Sequence, residues 1–413
     1  MILDFSIGNY RSFYREQTLN FRSTSLVSED KSVDQQNIVE SDGYRILKTI
    51  GLYGPNGSGK SNLLNGLKLF RRLVSRSLES ETAMKDASEP FMLTSEPLKN
   101  GGFFQIQLLI EGKKYRYGFV LKPQGTVLQE WLFGPAEKKE TWYFRRTEDK
   151  VESNREWFEE GHTPPIESLR LNTLFLTFVS AYNGEVAKKI RRFIVNRISF
   201  EEPNSPRDRL RLFERRLGIK SESSTNELIK EGKADIVLSW LKAAGLLYSG
   251  INVEELGGIE VVQLEKSIWD HKGELVGRAK FDLNENESAG TKKFYTYIGR
   301  LYQKFSIGGV FVSDEIDNNF HPSLLQQFIR FFNDPSVNTA GAQLLFTSHD
   351  TNLLRPDILR RDQIYFTEKS ATDETILYSL ADLKGIRNNA DFAAQYLAGF
   401  YGALPILEKY KHE

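Results

Sequence analysis

Residues 46 to 74 read ILKTIGLYGPNGSGKSNLLNGLKLFRRLV, and the order of residue types in this stretch decides the fold. The apolar run ending at Tyr53 predicts a buried strand, and SNLLNGLKLFRRLV predicts an amphipathic helix. Between them GPNGSGKS, Gly54 to Ser61, matches G-x-x-x-x-G-K-[ST], a loop whose backbone N–H groups turn inward around a phosphate. Taken at ordinary residue frequencies the pattern arises by accident in roughly 2% of chains this long, and a strand before it and a helix after it are the context that confirms it. Gly54, Pro55, Asn56, Gly57, Ser58, Gly59, Lys60, Ser61 and Asn62 are therefore the candidate nucleotide-binding residues. Lys60 is placed to reach the β- and γ-phosphate oxygens, Ser61 to ligate Mg²⁺, and the helix N-terminus to add its dipole.

The rest of the composition narrows the class. The chain has 413 residues, enough for one large elaborated domain or two to three lobes. Lys plus Arg and Asp plus Glu each number 55, so no global field recruits nucleic acid or a membrane, and any such partner needs a local patch. There are no cysteines, which excludes disulfides and thiolate metal sites and fits a reducing cytoplasm. MILDFSIGNYRSF is not a signal peptide, and no apolar run reaches the length of a membrane span.

Along the chain, Ile2 to Ile7 and QTLNFRS predict an opening hairpin, and the polar residues Thr24 to Asp42 a loop. FFQIQLLI, KKYRYGFVL, TVLQEWLFG and ETWYFRR, between residues 103 and 146, predict an antiparallel meander whose Tyr115, Tyr117, Phe119 and Trp131 are read as core. Helical spacing dominates from Leu169 to Gly245, including VAKKIRRFIVNRI and DRLRLFERRL. Strands return at INVEE, GIEVVQLEK and GRAKFDL, and the end alternates again: VFVSDEID, a helix from Pro322, AQLLFTSHD, QIYFTEK and TILYSL, then a short helix near Asp391.

Two of those strands carry chemistry. VFVSDEID ends in acids, with Asp314 suited to hold Mg²⁺ and Glu315 to orient and polarise an attacking water; the plain alternative is a strand ending in solvated carboxylates. LLFTSHD ends near His349, whose imidazole could donate to a γ-phosphate oxygen. His162, His271, His321 and His412 are scattered, which argues against a zinc site.

NENESAGTKKF, 284 to 294, has no nucleophile, cage or redox group, yet opens the helix TKKFYTYIGRLYQKF. The whole order resembles an ATP-binding-cassette (ABC) type ATPase head: phosphate loop, long insertion, Ser-x-Gly signature, Asp-Glu strand, then His. The resemblance implies that Ser288, Ala289 and Gly290 grip the γ-phosphate of a neighbouring subunit, with Asp317 of EIDNNFHP in the loop between paired sites. ESAGT departs from the common L-S-G-G-Q, and the plain alternative is a helix capped by Ser288. The superfamily's coupling Gln is not found; TFVSAYNG, at the expected place, has none.

FSIGNYRSF resembles the first strand and N-[YF]-[RK]-S turn of RecF, SMC and OLD-like ATPases, which implies that Tyr10 and Arg11 lie near the nucleotide. Over nearly its full length the chain resembles compact bacterial AAA/OLD-like ATPases of anti-phage systems, the group with the ATPase components of PARIS, Septu and abortive-infection pairs. The matching features are SIGNYRSF, FMLTSEP with the meander ending EWLF, ESAGTKK, DEIDNNFHP, TSHD and YLAGFYGALPIL. Such ATPases act as sensors or scaffolds for a separate effector, a nuclease or toxin. No Asp-x-Asp follows His349, so a fused TOPRIM nuclease is not expected.

The expected fold is therefore α/β: an ABC-type P-loop NTPase head with an antiparallel β meander and a helical insertion between the phosphate loop and the Asp-Glu strand. Its segments are an ATPase core of 1–75 and 280–413, a meander lobe of 76–168 and a mainly helical insertion of 169–279. The expected activity is hydrolysis of ATP with Mg²⁺ by a homo-oligomer, at least a dimer, that shares its active sites. Two alternatives stay open: a RecF-like DNA-repair ATPase, and an ATP-dependent scaffold with little turnover. Between Lys188 and Arg216 ten Lys/Arg face four Asp/Glu, read either as a DNA, RNA or phage-protein contact or as the solvated face of helices.

Overall fold

The computed structural model describes residues 1–79, 84, 89–94, 101–137, 139–201 and 224–405, and the chain divides into two compact units. The first holds 1–200, 309–314 and 343–413; the second holds 201–308 and 315–342.

In the first unit, TIGLY, VFVS and QLLFT have mostly apolar centres and are buried at every residue, on both faces, as parallel strands are. They form a six-stranded sheet in the order Ile198–Glu201, Val310–Ser313, Gln343–Thr347, Thr49–Tyr53, Ile364–Lys369, Thr375–Ser379. The four strands from Val310–Ser313 to Ile364–Lys369 run parallel, and Thr375–Ser379 closes the edge antiparallel. Gln343–Thr347 thus separates the phosphate-loop strand from the Asp-Glu strand.

The expected hairpin and meander join one another. Their seven-stranded antiparallel sheet runs Lys150–Ser153, Glu140–Thr147, Val127–Pro135, Lys113–Leu121, Gly102–Ile110, Ile2–Gly8, Gln17–Asn20. Helix Lys60–Arg76 packs on it through Phe70, which stacks on Phe119 at 5.0 Å and meets Phe5 and Tyr117 edge-on at 5.9 Å. One apolar core therefore takes in this helix and residues of both sheets, among them Ile7, Leu52, Leu67, Phe104 and Leu345, with Tyr115, Tyr117 and Phe119 buried as expected. Trp131 is instead half-buried, stacked on Phe103 with its indole N–H on Gln105. The buried Gln343 ties the sheets by hydrogen bonds: its Oε1 accepts from Ile2 N at 2.7 Å, and its Nε2 donates to the Ile2 and Leu47 carbonyls.

Among the described residues of the meander, Glu130 and Arg146 form a fully buried charge pair. Glu130 accepts from Tyr117 Oη (2.9 Å) and from the amides of Phe175 (2.6 Å) and Leu176 (2.9 Å). It therefore caps helix Phe175–Ala181, whose own N-cap residue, Leu174, has no side-chain acceptor. Arg146 donates to the Thr173 and Arg170 carbonyls just before that helix.

Local differences from the sequence reading have simple causes. Thr24 to Asp42 is no plain loop: Asp30 caps a helix over Lys31–Asn37, and Ile38–Ser41 pairs with Tyr44–Leu47. VAKKIRRFIVNRI is helical only over Glu185–Arg192; a π turn over Phe193–Arg197 then re-aims the chain into strand Ile198–Glu201. DRLRLFERRL, like part of the basic run ending at Arg216, lies outside the described residues.

The second unit contains helices Ser224–Lys230, Ala234–Ala243, Ala289–Ile307 and Pro322–Asn333 and an antiparallel sheet of Gly250–Leu256, Ile259–Trp269 and Leu275–Asp282. Its interior is aromatic: Trp240 packs on Phe305 and Phe331, and Phe328 on Tyr297 and Phe332.

Glu130→Ala leaves a buried arginine without its countercharge and two amides without an acceptor. Chemical denaturation should record a loss of about 3–5 kcal/mol.

Candidate functional site

Gly54, Gly57 and Gly59 have φ of +143°, +77° and +114°, backbone that L side chains rarely adopt, and this folds the loop into a cradle of N–H groups. Space adds a second demand. A Cβ on Gly54 would stand 2.3 Å from the Thr367 carbonyl, and one on Gly59 2.3 Å from Thr375 Oγ1. The loop is thus pressed against the last two strands of the six-stranded sheet. Ser58 Oγ is 2.6 Å from Thr367 Oγ1, and Thr375 Oγ1 donates to the Ser58 carbonyl at 2.8 Å. Gly59 is the N-cap of helix Lys60–Arg76, so the positive end of that helix dipole and its first-turn N–H groups open onto the cradle. Lys60, buried, donates from Nζ to the Gly54 carbonyl at 2.7 Å and the Pro55 carbonyl at 3.1 Å, at the mouth of the loop.

Ser61, in the first turn of the helix, donates from Oγ to Asp314 Oδ1 at 3.2 Å. Asp314 is the residue after strand Val310–Ser313. The same oxygen accepts from Thr347 Oγ1 at 2.6 Å, at the end of the strand between. The phosphate-loop helix and the ends of two neighbouring strands therefore deliver a serine, a carboxylate and a threonine to one point. Thr347 carried one signal in the sequence, a lone hydroxyl closing the apolar run LLF. The set of hard oxygen donors fits Mg²⁺, which is bound with one or two carboxylates plus phosphate oxygens and water. Among the described residues no three His, Cys, Asp or Glu side chains converge to cage a metal.

The NYRSF turn reaches this helix directly. Asn62 Nδ2 donates to Ser12 Oγ at 2.8 Å, and Thr375 N donates to the Ser12 carbonyl at 2.7 Å. Asn9 and Arg11 both hold left-handed φ, +45° and +49°. Arg11 is clamped by Glu89 through Nε (2.9 Å) and Nη2 (3.0 Å). With Ser12, Asn62, Phe91 and Lys369 it lines a cavity of about 510 Å³. Tyr10 does not share that position: it is 2% exposed and packs edge-on to Phe104, because the same turn sends alternate side chains into the core.

His349 lies two residues beyond the strand and is exposed, after the buried Ser348. TFVSAYNG lies largely within the buried helix Phe175–Ala181. In the basic run, Lys189 is paired with Glu111, and Arg191 donates to the Val74 and Ser75 carbonyls.

In the second unit Ser288 is the N-cap of helix Ala289–Ile307, its Oγ accepting from Thr291 N at 3.2 Å. The capping reading of that serine holds. Gly290 has a further constraint, since a Cβ there would stand 2.5 Å from the Asn319 carbonyl. The EIDNNF turn starts with Glu315, exposed and left-handed at φ +49°, and includes Asp317, half-buried. Lys293, unremarked in the sequence, bridges helix and turn, and burial pushes its ammonium down to about 8 against the pull of the Asp317 and Glu315 carboxylates.

A glycine cradle at a helix N-terminus, with a carboxylate from the next strand but one meeting the serine after its lysine, defines an α/β P-loop NTPase head. The antiparallel meander and the insertion lie between the loop and the Asp-Glu strand, in the ABC-type arrangement. Residues 50–355 match the family model described as "AAA domain, putative AbiEii toxin, Type IV TA system". The chain belongs to this family of AAA/ABC-type ATPase domains of the abortive-infection type, as its resemblance implied. No curated relative matches. Among solved structures, it is similar to the SMC head domain from Thermotoga maritima (12% identity, 92% of this chain and 98% of that one, TM-score 0.43). It is also similar to the Smc head domain with a coiled coil and joint from Pyrococcus yayanosii (10%, 97% and 99%, TM-score 0.44). Likeness at this level adds nothing to what the strand order establishes. Among the described residues no helix is long and apolar enough to cross a membrane.

Gly59→Ala should abolish nucleotide binding, because a side chain there meets both strain and Thr375. Gly57→Ala, with open space around it, should cost only the left-handed strain of about 1–2 kcal/mol. Titration with a fluorescent ATP analogue compares the two.

Proposed function

We propose that this chain binds and hydrolyses Mg-ATP, in oligomers that share their active sites, and thereby controls a separate effector in anti-phage defence. The observation that carries the ATPase reading is the meeting of Ser61, Asp314 and Thr347 beside the phosphate loop. Lys60 and the loop amides would hold the β- and γ-phosphates, with Asn62 and Arg11 as further contacts to the nucleotide. Ser61 and Asp314 would hold Mg²⁺, which would supply neutralising charge at the phosphates. Glu315 would accept a proton from the attacking water, and His349 would donate to the γ-phosphate.

Ser288, Ala289, Gly290 and Asp317 would serve the neighbouring copy's nucleotide. Support for this role comes from the helix they open, whose N-terminal amides suit an anion. Capping and signature roles are compatible when the Thr291 hydroxyl, 3.0 Å from Ser288 Oγ, is the donor of that pair, which leaves the Ser288 proton to a phosphate oxygen. The family's description as a toxin of a toxin–antitoxin system supports an output that harms the cell under control, with a nuclease or toxin as the partner. The pairing of Lys189 and Arg191 within the chain weighs against DNA binding by the described part of the basic run.

Glu315→Gln should lower turnover about 10²–10⁴-fold while ATP binding stays intact, in steady-state kinetics beside a binding titration. The shared site is tested by mixing two inactive variants, Lys60→Ala and Ser288→Arg, under conditions of subunit exchange. Partial return of ATPase activity is expected, since some mixed oligomers own one site with both residues intact. Continued inactivity with exchange confirmed would leave Ser288 as a helix cap alone.

A further inference from the structure

The second unit holds an arrangement that the nucleotide motifs do not explain. Lys293, one turn after the signature, donates from Nζ to the Ile316 carbonyl at 3.0 Å and to the Asn318 carbonyl at 2.6 Å. Its ammonium also lies 4.6 Å from the centre of the Phe320 ring and 5.9 Å from that of Tyr297. Phe320 is anchored in turn, edge-on to Tyr297 at 6.0 Å and against Phe328 at 5.9 Å. The carbonyls that Lys293 holds belong to a turn with left-handed residues at Glu315 (φ +49°) and Asn319 (φ +67°), a conformation that persists only when its surroundings impose it. Two further bonds close the turn, Asn318 N to Glu315 O and Phe320 N to Asp317 O, both 3.0 Å. Gly290 completes the contact from the helix side, with no room for a Cβ against the Asn319 carbonyl.

We propose that Lys293 is a positioning residue that locks the Ser288 turn to the Glu315–Phe320 turn of the same chain, so that the two move as one body. The inference rests on the shared-site reading above. Its consequence is specific: each copy would present Glu315 to its own nucleotide and Ser288 to a neighbour's from a single rigid block. The state of one site would then reach the next without any contact between the two nucleotides. A lysine suits the task because its single point charge on a long stem can serve two carbonyls and an aromatic face together.

The test uses Lys293→Met, with Lys293→Arg as the conservative variant and thermal melting to verify folding. Lys293→Met should lower kcat at least about tenfold, or 1.4 kcal/mol, with KM and ATP affinity little changed, and Lys293→Arg should restore most of the rate. The decisive readout is a set of mixtures referred to Lys60→Ala with Ser288→Arg. In Lys293→Met with Lys60→Ala, the one complete site has a loosened Glu315 turn. In Lys293→Met with Ser288→Arg, the one complete site has intact Lys60 and Glu315 and a loosened Ser288 turn. The proposal expects both mixtures to stay at least about tenfold below the reference pair. A lysine that only supports its own loop would let the second mixture recover to the reference level, and that recovery overturns the proposal. So does a wild-type kcat for Lys293→Met alone. A reference pair that stays inactive with exchange confirmed removes the shared site itself, and this role with it.

Discussion

One carboxylate oxygen, Asp314 Oδ1, organises the first unit's site. It accepts from Ser61 at the start of the phosphate-loop helix and from Thr347 at the end of the middle strand. Its position depends on three parallel strands whose register is set by continuous apolar burial, and on Gln343, which fixes the middle strand to the amino-terminal strand. The phosphate loop then has little freedom. It is pinned from below by Thr367 and Thr375, and two of its glycines are required by space as well as by backbone angle. The NYRSF turn joins this framework through Ser12, so the first strand of the chain and the last strands of the sheet meet at the same helix turn.

The second unit has a different logic. Its aromatic interior orients two segments that share no strand, the helix after Ser288 and the turn from Glu315 to Phe320. They are joined by a lysine and by a glycine too close to a carbonyl to carry a side chain. Ser288 satisfies an amide of its own helix, which explains its place without any nucleotide. The nearby contacts of Gly290 and Lys293 are what a plain helix cap does not require.

Much of this was legible in the sequence because the features are local. GPNGSGKS needs only glycine geometry and a helix N-terminus, and VFVSDEID and LLFTSHD are short apolar runs with polar ends. The meander was equally plain, since its alternation and aromatic content are strand properties. What was missed depends on tertiary contacts. Lys293 is one of two adjacent lysines; its neighbour Lys292 bonds the Asn284 carbonyl, and only the fold distinguishes their duties. Lys31–Asn37 looked too polar for a helix, yet its buried Val33 and Asn37 find partners far away, Asn37 on the Ile358 carbonyl and Gln363. The π turn at Phe193–Arg197 is a local change of helical pitch that no periodicity announces. Tyr10 and Arg11 are adjacent, and only the strained turn between Asn9 and Phe13 decides that one is core and the other faces the cavity.

The most direct test is a calorimetric titration of ATP, with and without Mg²⁺, into the wild-type protein and Asp314→Asn. Mg²⁺ should tighten ATP binding to the wild type by about tenfold or more, about 1.4 kcal/mol. Asp314→Asn should keep the Mg²⁺-free affinity and lose that gain. An equal response to Mg²⁺ in both proteins, or no ATP binding by the wild type, would contradict this reading of the site.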